Sequence, residues 1–589
     1  MKKNLIAFAL LACLILGVFS FASCGAASDA PVAATSVPTS SATERTPETV
    51  LPTSETSTTA EPTTAVPTVG ETTAVTTDKW EPIAAKIGTI AERDRKLKIE
   101  CSVAKSAEKA SKNDVYVAGP DAVEDGVTPL IEQMIYERNR AVDELLGTTV
   151  DYLFWDYGFG KQAEPIDTVV KGKAADAPDL FISMLNDLNK ELRNSVFKDV
   201  WSIPNSYFDF TESGWLSGWM ETLSFAGDRA YILGSDYFLD IMRSITAIPF
   251  NMTMMNENAV KLAPAILEEG ETLGGNEELT SYFFDLVEEG CWTWEVLGKL
   301  CEATWVDVDS SGDDSIGDVL GIIADAYGGM QASSFIYSCG EKITEVYTIE
   351  DESNPYNGKQ WIKYADDSTK LNRIFDAVKG VFEGAGSLST SYAFSGNTPD
   401  QPGAAYHHTK FAASELLFAG VCAIGTMEDE TFQNMTDLYS VVPCPKIDVE
   451  RQYNTIINNQ GDAGAINVNV NPRKARVLSA YIQYCTENSA RIREQFMQNV
   501  MKYKVTTYNQ GTDRMFELIY DGILYNRDYT VEGENEEPRW HRLMMAERFV
   551  AGSDYISTQY RSSVSTKQRI LDKLMEKWYT LPKTEPKAE

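Results

Sequence analysis

The stretch LIEQMIYERNRAVDELLGTTVDYLFW, residues 130–155, decides the fold. Thr128-Pro129 ahead of it supplies an N-cap and a proline at the first helical position. Ile131, Ile135, Val142 and Leu145 then recur at helical spacing, and Arg138 falls on the same row. An arginine there reads as a structural side chain paired inside the fold, against the alternative of a ligand contact. Gly147 stops the helix, and Thr149 to Trp155 follows as a strand. Upstream, a short helical lead-in over 78–93, built on Trp80, Ile83, Ile87 and Ile90, precedes LKIECSV (97–103), which alternates as a strand. Downstream, another helical segment leads to PDLFIS (178–183), a third strand. Strand, helix, strand, helix, strand predicts an α/β fold, a parallel sheet covered by helices.

The chain has 589 residues, enough for several domains, and 43% are hydrophobic, enough for a large core. Lys and Arg number 52 against 86 Asp and Glu, a net charge of −34. So acidic a surface excludes nucleic acid and anionic lipid as partners, because both need basic patches. Besides Cys13 and Cys24 there are seven scattered cysteines, an odd number that suits buried thiols better than a disulfide framework. No segment after the first two dozen residues has the length and apolarity of a membrane span.

Those first residues have their own logic. Lys2 and Lys3 precede an apolar run from Leu5 to Phe19, and the small residues Ala22 and Ser23 lead into Cys24. This is the pattern of a secretory signal. Ending on cysteine, it resembles the lipobox of bacterial lipoproteins, with Phe21 standing where leucine is usual. The resemblance implies that Cys24 is lipidated and becomes the N-terminus; the other reading is an ordinary signal with a chance cysteine. One acyl chain holds a protein weakly, so such an anchor would carry more than one. Residues 25–77 are mostly Thr, Ser, Pro, Ala and Glu without an aromatic. Such a segment cannot bury enough apolar area to offset chain entropy, and its prolines make it an extended stalk. The expected organisation is a signal over 1–23, a disordered linker over 24–78 and a folded region over 79–589.

Five further segments carry a resemblance, in order: YERNRAVDELLGTTVDY with GDRAYILGSDYF and ITAIPFNMTMMNENAV; FFDLVEEGCWTWEVLGKLCEAT; FAASELLFAGVCAIGT; LYSVVPCPKIDVERQYNT; and NVMKYKVTTYNQGTDRMFELIYDGILYNRDY. Together they resemble the extracellular solute-binding proteins of ABC importers, the carbohydrate-type family 1 of lipoprotein receptors. The resemblance implies a two-lobed periplasmic-binding-protein-like fold. Lobe one would take 95–246 and 455–505, and lobe two 247–454 and 506–580. Crossovers would lie near Ile245–Asn251 and Tyr453–Ile457, with ligand between the lobes. It also implies a monomer on the outer face of a Gram-positive cytoplasmic membrane, passing a soluble ligand to a permease. Ligands bind off the carboxyl ends of parallel strands and between domains, which agrees with that arrangement.

Fold logic then names candidates for ligand contact. Trp155, Trp215 and Trp219 fall at or after strand ends, where flat rings can stack on a sugar. Trp215 and Trp219, four apart, would share a helix face. Ser183, Asn186 and Asp187 follow the third strand, Asn251 stands beside a crossover, and Thr426 follows the strand VCAIG. For any one tryptophan the competing reading is core packing. Trp292 and Trp294 flank Thr293, an N-cap, and read as anchors.

Asp307, Asp309, Ser311, Asp313 and Asp318 follow the spacing of a calcium loop, with Gly312 at the sharp turn. Asp318 stands where glutamate is usual. The alternatives are a structural calcium and a plain acidic turn. His407 and His408, in PGAAYHHTK, read as a solvent-facing loop with weak metal binding at most. No motif of hydrolytic or phosphate chemistry is present, so no catalytic residue is named. LPKTE (581–585) imitates a cell-wall sorting signal but lacks its glycine. Two other classes remain: a surface glycan-processing enzyme, separated from a receptor by turnover, and an adhesin or scaffold, separated by binding insoluble polymer alone.

Overall fold

A computed structural model describes residues 77–580 apart from 104–115, 120–129, 157–160, 162, 193, 224–228, 269, 275–277, 326–328, 391–405, 459–460, 502–509 and 526–551. The chain divides into Met1–Thr72 and Thr73–Glu589, and the described residues all belong to the second unit. The expectations for the signal, Cys24, the linker, Thr128-Pro129 and residues 581–585 lie outside them.

The first sheet is built from strands β1 (Lys96–Ser102), β2 (Thr149–Trp155) and β3 (Leu180–Met184). β1 lies in the middle and pairs in parallel with both neighbours. The helix between β1 and β2 runs from Leu130 to Leu146 and buries Ile131, Ile135, Arg138, Asn139, Val142 and Leu146. It stops where Gly147 adopts φ 60°. Arg138 donates to Asn139 Oδ1 and Ser489 Oγ and lies over the Tyr237 ring, so neutral groups hold it in the core.

The second sheet contains β4 (Thr246–Asn251), β5 (Leu320–Asp325), β8 (Ser387–Thr390), β9 (Leu416–Phe418), β10 (Cys422–Ala423) and β11 (Tyr439–Val442). Between β5 and β8 the chain makes a separate hairpin, β6 (Thr344–Thr348) with β7 (Gln360–Tyr364). β5 is parallel to β8 and β9, whereas β4 is antiparallel to β9, β10 and β11. Helices Trp294–Thr304 and Thr369–Phe382 cover this sheet, and Gly552–Thr580 packs outside them on β7. Trp292 and Trp294 are buried, and the Thr293 hydroxyl accepts from Val296 N, as an anchor and a cap should.

One expectation needs correction: neither sheet is purely parallel. After the second sheet the chain returns as β12 (Asp462–Ile466) and lies antiparallel against β3, completing the order β12-β3-β1-β2. The return requires a crossing, and there are three side by side. Ile245 bridges Ile457, Asn458 N donates to Ser244 O at 2.8 Å, and Thr455 bridges Ile523 in parallel. The first two passes coincide with the crossovers expected near Ile245–Asn251 and Tyr453–Ile457. The third, through Ile523, is new. The seven cysteines at 101, 291, 301, 339, 422, 444 and 485 form no disulfide, and all but Cys291 are buried.

Candidate functional site

Tyr116, which follows β1, donates to Glu428 Oε1 at 3.2 Å, and Glu428 belongs to the 3-10 turn Ile424–Glu428 after β10. Arg243 Nε donates to the other oxygen of Glu428 at 2.9 Å and lies 3.7 Å from Asp240. A second tie joins the two halves nearby. Asp236 accepts from Arg493 at 2.8 Å and from Tyr520 at 2.8 Å, and the Arg493 guanidinium stacks over the Tyr520 ring at 4.0 Å. Burial pushes the Asp236 carboxyl up to about 6, against the pull of Arg493.

At the strand ends themselves lies an acidic group that the sequence did not single out. Glu100, on β1, is fully buried and accepts from Ser183 Oγ on β3 at 2.7 Å. Its other oxygen is buried without a hydrogen-bond partner. Burial, with a smaller contribution from the Asp187 charge, pushes Glu100 up to about 8 despite the Ser183 bond. Strict alternation places Glu100 with Lys96 and Lys98 on a polar face. β1 is central and covered on both sides, so alternation fails there.

The candidates divide by accessibility. Trp155, at the end of β2, is half-buried with its ring tilted against Phe181. Asn186, at the start of the helix Leu185–Leu192, and Thr426, in the 3-10 turn, also keep accessible surface. The others are interior. Ser183 is committed to Glu100, and Asp187, at zero exposure, lies 3.6 Å from Lys190. Asn251 caps the helix Met252–Glu257, accepting from Met254 N and donating to Asp437, both at 2.8 Å. Trp215 is buried against Phe208 and Phe210 and donates to Gln483 at 2.9 Å. Trp219 is buried edge-on to Tyr525. The shared helix face does not exist, because the helix Ser217–Leu223 holds only Trp219 while Trp215 bridges Ser235. Ser183, Asp187, Asn251, Trp215 and Trp219 therefore hold the fold rather than present surface to a ligand.

Carboxylate oxygens of Asp307, Asp309 and Asp318 lie within 4.8 Å of one another. Asp307 accepts from Ser311 N and Gly312 N, Asp309 from Ser311 N, and Ser311 Oγ donates to Asp313 O. Asp318 is buried, and its two oxygens take Val308 N and Ser315 N, each at 2.8 Å. This network curls the loop and gathers hard oxygen donors, a donor set that fits calcium. No helix among the described residues is long and apolar enough to cross a membrane.

No family model and no curated protein sequence matches the chain. Solved structures do. The GacH receptor of Streptomyces glaucescens, solved unliganded and with acarbose, is 12% identical; the match covers 81% of this chain and 98% of that one, with a TM-score of 0.43. A cyclic alpha-maltosyl-1,6-maltose binding protein from Arthrobacter globiformis is 8% identical over 82% and 99%, with a TM-score of 0.44. A family 1 extracellular solute-binding protein from Bifidobacterium longum subsp. infantis is 12% identical over 82% and 99%, with a TM-score of 0.41. At identities and scores this low, the likeness assigns neither a ligand nor a role.

Proposed function

We propose that the chain is a cell-surface receptor that captures a soluble carbohydrate between its two lobes and delivers it to the permease of an ABC importer. In this reading Cys24 is lipidated and tethers the protein to the outer face of a Gram-positive membrane, with residues 25–77 as its reach. The observation that carries the reading is the triple crossing at Ile245, Thr455–Ile457 and Ile523, which joins two separately covered sheets. Adjacent passes of extended chain can bend together while each lobe stays rigid, the arrangement of a hinge. The ordered sequence segments support the same reading.

Within the cleft, Trp155 offers a flat face, while Asn186 and Thr426 offer partners for hydroxyl groups. The Asp307 loop would hold calcium through Asp307, Asp309, Ser311, Asp313 and Asp318, pinning the turn before β5 without a part in ligand chemistry. The test is thermal unfolding of the purified chain against sugars, oligosaccharides and peptides, each with calcium and with chelator. A ligand at about 100 times its Kd adds roughly 2.7 kcal/mol. A shift with one soluble glycan that is recovered intact is the expected result. Glycan turnover would move the assignment to an enzyme, and a flat response across the panel would remove the receptor reading.

A further inference from the structure

We infer that His407, His408 and Cys422 form a binding site for a borderline-soft divalent metal ion, zinc foremost, where the helix Tyr406–Ala412 meets β10. This site is independent of the carbohydrate reading and of the Asp307 loop.

The two histidines do not lie in a solvent-facing loop, as the sequence suggested. They open a helix whose residues Tyr406, His407, Lys410 and Phe411 are buried. His408 Nε2 lies 3.2 Å from Cys422 Sγ, the two imidazole centroids are 4.0 Å apart, and one donor atom from each residue falls within 4.8 Å of the others. Around a tetrahedral zinc, with bonds of about 2.0–2.1 Å to nitrogen and about 2.3 Å to sulfur, neighbouring donors sit roughly 3.3–3.6 Å apart. The observed separations, 3.2 Å for the His408–Cys422 pair and at most 4.8 Å within the set, bracket that spacing.

The elements that carry the donors are fixed. After β9 the chain turns at Gly420 with φ 77°, where a Cβ would come within 2.7 Å of Ile323 O. Cys422 then pairs with Ala247 on β4. Phe432 packs edge-on against His408 at 5.2 Å. A fourth donor is also at hand. Gln331, 3% exposed, places Nε2 at 3.5 Å from His407 Nε2, and its Oε1 is buried without a partner. Turning that amide over would aim the orphaned carbonyl oxygen at the same space.

A buried cluster of two imidazoles, a thiol and a half-satisfied amide is costly unless something repays the desolvation. A metal ion does so with this donor set, since zinc accepts imidazole nitrogen and thiolate sulfur together. Cys422 gives up its thiol proton to solvent as the metal–sulfur bond forms. The ion would tie the helix to β10 beside β4, next to the hinge.

The test uses the full chain in excess calcium, which keeps the Asp307 loop occupied, titrated first with Co²⁺ and then with Zn²⁺. The expected result is a near-ultraviolet thiolate-to-cobalt band that saturates at one equivalent and is displaced by Zn²⁺. Cys422→Ser should abolish the band, and His408→Gln should weaken zinc roughly tenfold or more at unchanged circular dichroism. Absence of the band in the unaltered chain would overturn the proposal, as would its persistence in C422S. Should C422S not fold, His407→Asn and His408→Gln retain the thiol and decide the matter: unchanged zinc affinity in both overturns it.

Discussion

Glu100 makes the stability of this protein depend on pH in a direction opposite to that of an ordinary surface acid. The folded chain keeps its proton up to about 8, while the unfolded chain releases it near the usual 4.5. Between those values the native state binds more protons, so this group's contribution to stability falls as pH rises through the window and is constant above it. Glu100→Gln keeps a group that can bond Ser183 and removes the titration. In urea unfolding the variant's stability relative to the parent should rise by about 4 kcal/mol between pH 5 and pH 8.5. Parallel pH profiles for the two proteins would refute this. The tryptophans separate in the same manner. Trp219→Ala should cost about 3–5 kcal/mol, because it empties a packed site beside Tyr525. Trp155→Ala should cost less stability and, on the proposed function, instead lower affinity for whichever glycan shifts the melting point, read by calorimetry. Sequence pattern could not make that distinction, since it locates a tryptophan near a strand end without saying which way the ring turns.

Single elements show where local patterns suffice and where packing overrides them. The helix Leu130–Leu146 and strands β1, β2 and β3 fall within a residue or two of their expected bounds, because period and glycine stop agree there. Tyr406–Ala412 was illegible: Pro402 and Gly403 mark a loop, and seven residues carry too little period to reveal the buried face. The Asp307 loop was legible as a spacing, and its hydrogen bonds now separate the roles of its acids. Asp318→Asn leaves one part-buried backbone N–H without its acceptor and should cost about 1 kcal/mol or more even in chelator. Asp309→Asn alters an exposed carboxylate and should spare stability in chelator while weakening the response to calcium. Melting curves of both variants, with and without calcium, test the division; equal losses in chelator would contradict it.

At the scale of the molecule, the prediction is closure. Small-angle scattering should show a smaller radius of gyration with saturating glycan than without, because a ligand held by both lobes favours their approach. An unchanged radius would mean that the three passes form a rigid weld. Two covered sheets and two of the crossings were legible from ordered segments of the sequence. The antiparallel seat of β12 and the pass through Ile523 were not, since each depends on partners far away in the chain: Asp462 against Met184, Ile523 against Thr455.

The position of β12 also has a consequence for biosynthesis. Its residues Asp462–Ile466 complete a sheet whose other strands have all been made by Met184, and the whole second sheet is synthesised in between. The first lobe therefore cannot finish folding until most of the chain has left the ribosome. Long-range pairing of this kind delays folding and leaves a strand edge open for an extended time. On the proposed reading of an exported receptor, that delay would be an advantage: the last strand to arrive would act as a timer that keeps the polypeptide pliable until it has crossed the membrane.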